Sequence, residues 1–482
     1  MAVDSRPMKI EVKQIEPADS DAELVAVGLY ESAELAAAIA DAPGADAAKP
    51  GFRKLSLLRP QGFPPVLVVG LGKRDELDAE RLRVAAALVA KEAARLEAES
   101  LAWALPEADD AGAAAEALVA GTILASYRFD RFKSGEGDDT PRLQSLILLG
   151  PVAMDEPAQT ARVAAEAQNR ARDLQSTPAN FATPTFLAER AEEIAAGSEA
   201  LTAEVLGRAE LEEKKMGGLL AVSQGGPQEP KLIVLRYSGG GSGPTLGLVG
   251  KGVTFDTGGI SLKPGAGMPD MKMDMSGAAA VLEAVAAIAE LELPLDLIAV
   301  VPSTENMPSG TAIKPGDVIT QYDGTTVEVN NTDAEGRLIL ADALAYAIEL
   351  GAERLVDMAT LTGAVVIALG STYAAVIAND DDLANAVSEA GVRSGELTWR
   401  LPLHPEYKEL MKGKFADLSN LAAKRKAGTI TAGSFLEEFV GDTPWAHIDI
   451  AGTAWDVGRL YVGSGASGFG VRLLVELARR HA

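Results

Sequence analysis

The sequence predicts an α/β protein of two domains: an N-terminal α/β domain, then a domain built on a mostly parallel, helix-covered mixed sheet. Three observations carry that prediction. Short apolar runs alternate with Ala-rich helical patterns along the chain, as βαβ units do. Many of the runs are apolar at nearly every position, the pattern of strands covered on both faces. The 482 residues suffice for two or three domains with large cores, and 47% hydrophobic with 5% aromatic content is an ordinary balance for a soluble α/β protein.

Taken in order, KIEVKQI, ELVAVGLY, PVLVVGLG and LQSLILLG predict strands of the first domain. DELDAERLRVAAALVAKEAARLEAE predicts a long amphipathic helix, with acids early and bases late to match the helix dipole. EPAQTARVAAEAQNRARDLQ reads as a connecting helix, and STPANFATPTF, rich in Pro, Asn and Thr, as a boundary. The expected division is therefore 1–154, a connecting helix over 155–174, and 175–482. In the last part KLIVLRY, TLGLVG, LDLIAVVP, TTVEVN, RLVDMAT, YAAVIA and AHIDIAG predict strands of one sheet, most of them separated by helices.

Composition removes several classes of function. Without cysteine there is no disulfide, thiolate nucleophile or thiolate metal ligand, which fits a reducing compartment. His404, His447 and His481 are the only histidines, so any metal must be bound mainly by oxygen. No apolar run reaches the ~18–20 residues of a membrane span, and MAVDSRPMKIEVKQIEP lacks the apolar core of a signal peptide. A soluble, cytoplasmic chain without a membrane partner is expected. A net charge of −25 argues against a nucleic-acid partner, because Lys and Arg must neutralise phosphates. The basic run AKRK at 423–426 reads more plainly as a solvated loop.

Ligands of open α/β sheets sit at the carboxyl ends of strands, where the unusual residues of this chain lie. GLVGKGVTFDTGGISLKPG carries Lys251, Asp256 and Lys263; MPDMKMDMSGAAAV carries Asp274 just before Ser276, a helix N-cap by its chemistry; VEVNNTDAEGRLIL carries Asp333, Glu335 and Arg337. Each has a plain reading alone. Lys251 lacks the glycine spacing of a phosphate loop, Asp256 before Thr-Gly-Gly suits an Asx turn, and Asp274 and Asp333 suit helix starts. Arg337 resists such a reading. A cation in the first turn of a helix faces the positive dipole end, at a cost of a few tenths to ~1 kcal/mol. A bound anion reverses that sign. If the acids converge, pairs ~4 Å apart repel by ~4 kcal/mol at an effective dielectric near 20. Two lysines offset part of this. Divalent cations would offset it fully, and paired metals on shared carboxylates are a standard hydrolytic arrangement.

These residues resemble a known family. NTDAEGRL, Asn331 to Leu338, is similar to the signature octapeptide of the cytosolic leucyl aminopeptidases. GKGVTFDTGGISLKP and MKMDMSGAAAV resemble that family's two other metal-site stretches in order and spacing, and ARDLQSTPANFATP and PWAHIDIAGTAW match further landmarks. The resemblance runs from about Val163 to the C-terminus; the N-terminal part matches in size and general pattern.

The resemblance implies a catalytic domain over 175–482 and a two-metal aminopeptidase that removes residues from free peptide N-termini. By the family's pattern Asp256, Asp333 and Glu335 hold a readily exchanged metal, and Lys251, Asp256, Asp274 and Glu335 a tighter one. Zn, Mn, Mg and Co all suit this oxygen-rich shell. Lys251 must be neutral to ligate, and two dications depress its pKa. A water or hydroxide bridging the metals attacks, protonated Lys263 polarises the scissile carbonyl, and Arg337 matches the residue that holds a bicarbonate acting as general base. Met271, Asn331, Thr360, Leu361 and Gly363 match positions lining the pocket for the N-terminal side chain, with Leu, Met and similar residues preferred. Met268, Met273 and Met275 suit either that pocket or the core. His447 is read as a structural strand residue. A homohexamer is expected from the family alone. One departure is the basic loop LAAKRKAGTITAG, where relatives carry a glycine-rich run. Two alternatives stand beside this reading. A two-metal phosphoesterase would favour a cationic cleft that the chain does not supply. A DNA-binding accessory role, known among bacterial relatives, sits poorly with the acidic balance.

Overall fold

The computed structural model describes residues 7–134, 142–424 and 426–481. The first six residues of the N-terminal stretch and Arg425 of the basic run therefore lie outside the described residues. Two compact units form, Met1–Asn169 with Gly458–Gly463, and Arg170–Val457 with Ser464–Ala482.

The first unit holds strands β1 (Lys9–Lys13), β2 (Leu24–Tyr30), β3 (Leu55–Leu58), β4 (Val66–Gly72), β5 (Ser100–Ala104) and β6 (Ser145–Leu149) in the order β1-β6-β5-β2-β4-β3. All pairs are parallel except β3 with β4. The four apolar runs read from sequence are strands here; β3 and β5, short and partly polar, were not among them. The long helical pattern starts later than its sequence suggests. Residues Arg74–Glu76 make a 3₁₀ turn, and the helix proper is Ala79–Arg95. Asp78 fixes that start, because its carboxylate accepts the Arg81 N–H at 2.7 Å. One helix, Asp155–Ser176, covers the predicted connecting segment, and the next, Pro184–Ala196, begins at a Thr183 cap.

The second unit holds β7 (Leu201–Leu206), β8 (Lys231–Ser238), β9 (Leu246–Gly250), β10 (Gly252–Asp256), β11 (Asp296–Asn306), β12 (Asp317–Thr320), β13 (Thr326–Val329), β14 (Arg354–Ala359), β15 (Ala374–Ala378), β16 (Thr398–Arg400), β17 (Leu418–Ser419) and β18 (Trp445–Asp449). Nine of them form a mixed sheet in the order β16-β15-β18-β14-β9-β11-β8-β7, with β10 also on β11. Its centre is parallel, β18-β14-β9-β11, and β7, β8 and the β15–β18 pair add antiparallel edges. The TTVEVN strand corrects one expectation. It is β13, and it pairs with β12 and β17 in a separate three-stranded sheet.

Helices cover both faces, so the central strands are buried on both sides as their continuous apolar runs require. Helix Gly336–Glu349 packs Leu338, Ile339 and Leu344 with Val249, Leu355 and Trp445. Helix Ser276–Glu290 is almost wholly buried, and its buried acid, Glu283, accepts from Arg170 and Arg190 at 2.7 Å each. No helix among the described residues is long and apolar enough to cross a membrane.

Candidate metal centre

Four segments at the ends of β9, β10, β13 and β14, together with the 3₁₀ helix Met268–Met275, bring the charged residues together. Lys251 follows β9 immediately and is buried. Its Nζ lies 2.8 and 2.7 Å from the two Asp274 oxygens and 2.9 Å from Glu335 Oε1, and it donates to the Thr360 carbonyl at 3.1 Å. The Thr360 hydroxyl donates to Asp274 Oδ1 at 2.7 Å. The glycine of the NTDAEGRL stretch makes room for this. A Cβ on Gly336 would lie 2.5 Å from Lys251 Cε, so a side chain there would displace the lysine.

A second corner is centred on Lys263. Its Nζ lies 2.7 Å from Asp256 Oδ2 and also contacts Asp333 Oδ1. Asp256 Oδ1 accepts from Gly258 N and from the Asn306 side chain, both at 2.8 Å. The Asx-turn reading of Asp256 and its ligand-like placement thus coexist. Gly258 has φ +84°, and a Cβ there would approach Asp333 Oδ1 to 2.9 Å, so both conformation and space require glycine. Reciprocal bonds, Ser261 N to Thr332 Oγ1 at 2.8 Å and Thr332 N to Ser261 Oγ at 3.1 Å, tie the two loops.

The electrostatics follow from burial. Asp256, Asp333 and Glu335 each offer an oxygen within 4.8 Å of the others. Burial pushes Asp274 up to about 8 and Asp256 up to about 6, with neighbouring carboxylates adding to both shifts and lysines opposing them. Burial raises Asp333 too. Glu335 is held below the usual range because Lys251 and Lys263 outweigh the effect of its burial. Burial alone would lower Lys251 and Lys263, yet their carboxylates hold both well above the ordinary lysine range. Four carboxylates face two ammonium groups, around Lys251 in a nearly dry corner and around Lys263 in a partly exposed one. That excess of negative charge and the oxygen donor set fit divalent cations.

Arg337 is the second residue of helix Gly336–Glu349 and is buried. Its Nε and Nη1 have no hydrogen-bond partner among the described residues. Burial pushes its guanidinium down to about 10, against the pull of Glu335 and Asp449, so it stays charged at neutral pH. A buried, unpartnered guanidinium at a helix N-terminus is a place for an anion.

The residues matched to the substrate pocket sit on the same loops. Met271 is half-buried on the 3₁₀ helix, Asn331 accepts the Asp333 N–H at 3.0 Å, and Thr360, Leu361 and Gly363 follow β14. Met275 is fully buried core, while Met268 and Met273 are half-buried. Ser276 is not the N-cap that its position suggests. The 3₁₀ turn runs directly into the helix, Met275 takes the cap position, and the Ser276 hydroxyl donates back to Met273 O. His447 is a buried β18 residue whose Nδ1 meets Asp357 Oδ1 at 2.6 Å, with Trp445 Nε1 donating to Asp357 Oδ2 at 2.7 Å.

Sequence reasoning passed over three residues that hold these loops. Asn306, the last residue of β11, donates to Asp256 and to the Thr332 carbonyl at 3.0 Å. Asn420 accepts from Asn330 N at 2.8 Å and donates to Asn331 O at 2.7 Å. Asp449 ends β18 and receives four donors from the loop after β14 and from its own strand end. A polar residue closing an apolar strand was the available signal in ENMP and HIDIAG.

Residues 169–475 match the model described as "Cytosol aminopeptidase family, catalytic domain", and 26–136 match that family's N-terminal domain. A protein of Roseiflexus castenholzii named "Probable cytosol aminopeptidase" is 45% identical over 98% of this chain and 99% of its own length. One of the same name from a Geobacter species is 49% identical over 86% of this chain and 85% of its own. Among solved structures, a bottromycin maturation enzyme in complex with Mn superposes with a TM-score of 0.87 at 37% identity, covering 95% of this chain and 99% of that one.

Proposed function

We propose, since the chain belongs to the cytosol aminopeptidase family and is therefore a metal-dependent aminopeptidase, that two divalent cations work at the centre described above. Asp256, Asp333 and Glu335 would hold the exchangeable one, and Lys251, Asp256, Asp274 and Glu335 the tighter one. One observation carries this reading: buried carboxylates outnumber the two lysines that face them. Mn, Zn, Mg and Co all suit the donor set, and the similar maturation enzyme is described with Mn. When bound, the cations supply Lewis acidity and a water of lowered pKa, and a bicarbonate held by Arg337 supplies a general base.

The chain's own residues do the rest. Lys263 keeps its proton, because Asp256 and Glu335, with Asp333, hold its pKa high against burial, and it would donate to the scissile carbonyl oxygen. Arg337 presents Nε and Nη1 to the anion. Lys251 and Asp274 would together have to release protons to solvent for a cation to enter. Met271, Asn331, Thr360, Leu361 and Gly363 receive the N-terminal side chain, with Leu, Met and similar residues favoured. The homohexamer, the cytoplasmic location and the division at 154 and 174 belong to the same reading. Hydrolysis of leucyl-p-nitroanilide, with and without Mn or Zn, tests it on wild type, Glu335→Ala and Asp256→Ala. Activity that survives chelation and both substitutions overturns it.

A further inference from the structure

The loop after β14 hangs on one buried carboxylate at the end of β18. Asp449, fully buried at the end of β18, accepts the Leu361 and Thr362 N–H groups at 3.2 and 3.4 Å and the Ala451 N–H at 3.2 Å, all on Oδ1. Its Oδ2 accepts the Thr362 hydroxyl at 2.6 Å. Thr362 Oγ1 in turn caps helix Gly363–Leu369 by accepting from Val365 N at 3.3 Å, and it lies 2.8 Å from Thr429 Oγ1 on helix Gly428–Glu437. One carboxylate thus fixes two successive residues of the loop, one helix start and a link to a second helix.

We infer that Asp449 is the positioning residue for the 360–363 loop, and that it sets selectivity for the substrate's N-terminal side chain. This rests on the reading that Thr360, Leu361 and Gly363 line that pocket. The physical reason is the number of donors on one acceptor. With Asp449 truncated, the Leu361 and Thr362 N–H groups of the loop lose their acceptor, as does Ala451 N–H beside Asp449 itself, and a buried unpaired donor forces the backbone to seek another partner. The loop that moves is the one that faces the side chain. At the other end of the loop, Thr360 is held separately by its bonds to Lys251 and Asp274. The effect therefore concentrates on Leu361 to Gly363 and leaves the metal end in place.

Acceptance, rather than charge, is the property needed. An asparagine can keep its oxygen on the three N–H groups and turn its amide toward Thr362 Oγ1, which then donates to Thr429.

The test compares leucyl- and alanyl-p-nitroanilide on the metal-loaded protein, with Mn affinity measured by calorimetry on the same samples. Asp449→Ala should raise KM for the leucyl substrate by about tenfold and cut the leucyl-to-alanyl ratio of kcat/KM by about fivefold, with kcat nearly kept. Asp449→Asn should restore the ratio to within about twofold of wild type. Thr362→Val, which keeps shape and loses only the hydroxyl, should shift the ratio in the same direction and carries the test if Asp449→Ala does not fold. Equal losses on both substrates, a parallel fall in Mn affinity, or no rescue by asparagine overturns the proposal. Wild-type protein that hydrolyses neither substrate would instead bring down the aminopeptidase centre itself.

Discussion

The two lysine-centred corners of the site are built from the same residue types and differ in burial. Around Lys251 the side chains are nearly dry, with Lys251 at 3% and Asp274 at 7% exposure. Around Lys263 solvent enters, with Lys263 at 22% and Asp333 at 33%. Glu335 bonds into the first corner and completes the carboxylate trio of the second. The difference teaches how one cluster supports two behaviours. A charge imbalance in the dry corner is costly and must be met by a tightly held cation or an extra proton. The wetter corner is partly screened, so the proposed counter-charge there would exchange more readily.

The largest effect expected is from the shared ligand. Glu335→Ala should lower kcat/KM on leucyl-p-nitroanilide by roughly a thousandfold or more, because it removes a donor from both corners. A Glu335→Ala protein that keeps near-normal turnover would end the idea of a shared ligand. Next comes the contrast between the lysines. Lys263→Ala should cost on the order of a hundredfold in kcat while both cations still bind by calorimetry. Lys251→Ala should abolish the tighter binding step, and two unchanged binding steps there would break the distinction between the corners. Arg337→Ala should lower kcat by about a hundredfold with cation affinity kept. An unaffected kcat would remove Arg337 from the chemistry.

The smallest effect lies in pH. Asp274 rises from an ordinary 3.8 to about 8 and Asp256 to about 6, both through burial first. A carboxyl that keeps its proton only in the folded state stabilises folding below its unfolded pKa, and that contribution is lost as pH rises through the folded value. The cation-free protein should therefore lose Tm between about pH 4 and pH 8. Asp274→Asn should flatten that slope in a thermal melt. Added Mn should stabilise increasingly as pH rises, because the cation must displace the proton. A slope unchanged by Asp274→Asn would take the extra proton away from the dry corner.

Much of the fold was legible because continuous apolar runs leave few alternatives to strands buried on both faces. The strands β3 and β5 were not legible, being short runs of LSLL and SLAWA in which small residues and leucines suit a helix as well as a strand. Nor could periodicity assign β13 to a second sheet, since a strand's pattern records which faces are buried and not against which neighbour. Ser276 failed for a similar reason. Its chemistry favours a cap, but the 3₁₀ turn before it uses the position otherwise.

By itself the sequence determined the chemistry on offer: carboxylates, two lysines and an ill-placed arginine at strand ends, with no thiol and few imidazoles. Tertiary structure alone decided their burial, and with it the upward shift of Asp274, the unpartnered face of Arg337 and the support that Asn306, Asn420 and Asp449 give the loops. The reason is physical. Residue type fixes which charges and donors exist, whereas their energies depend on distance and solvent access, which segments far apart in the chain set only when they pack together.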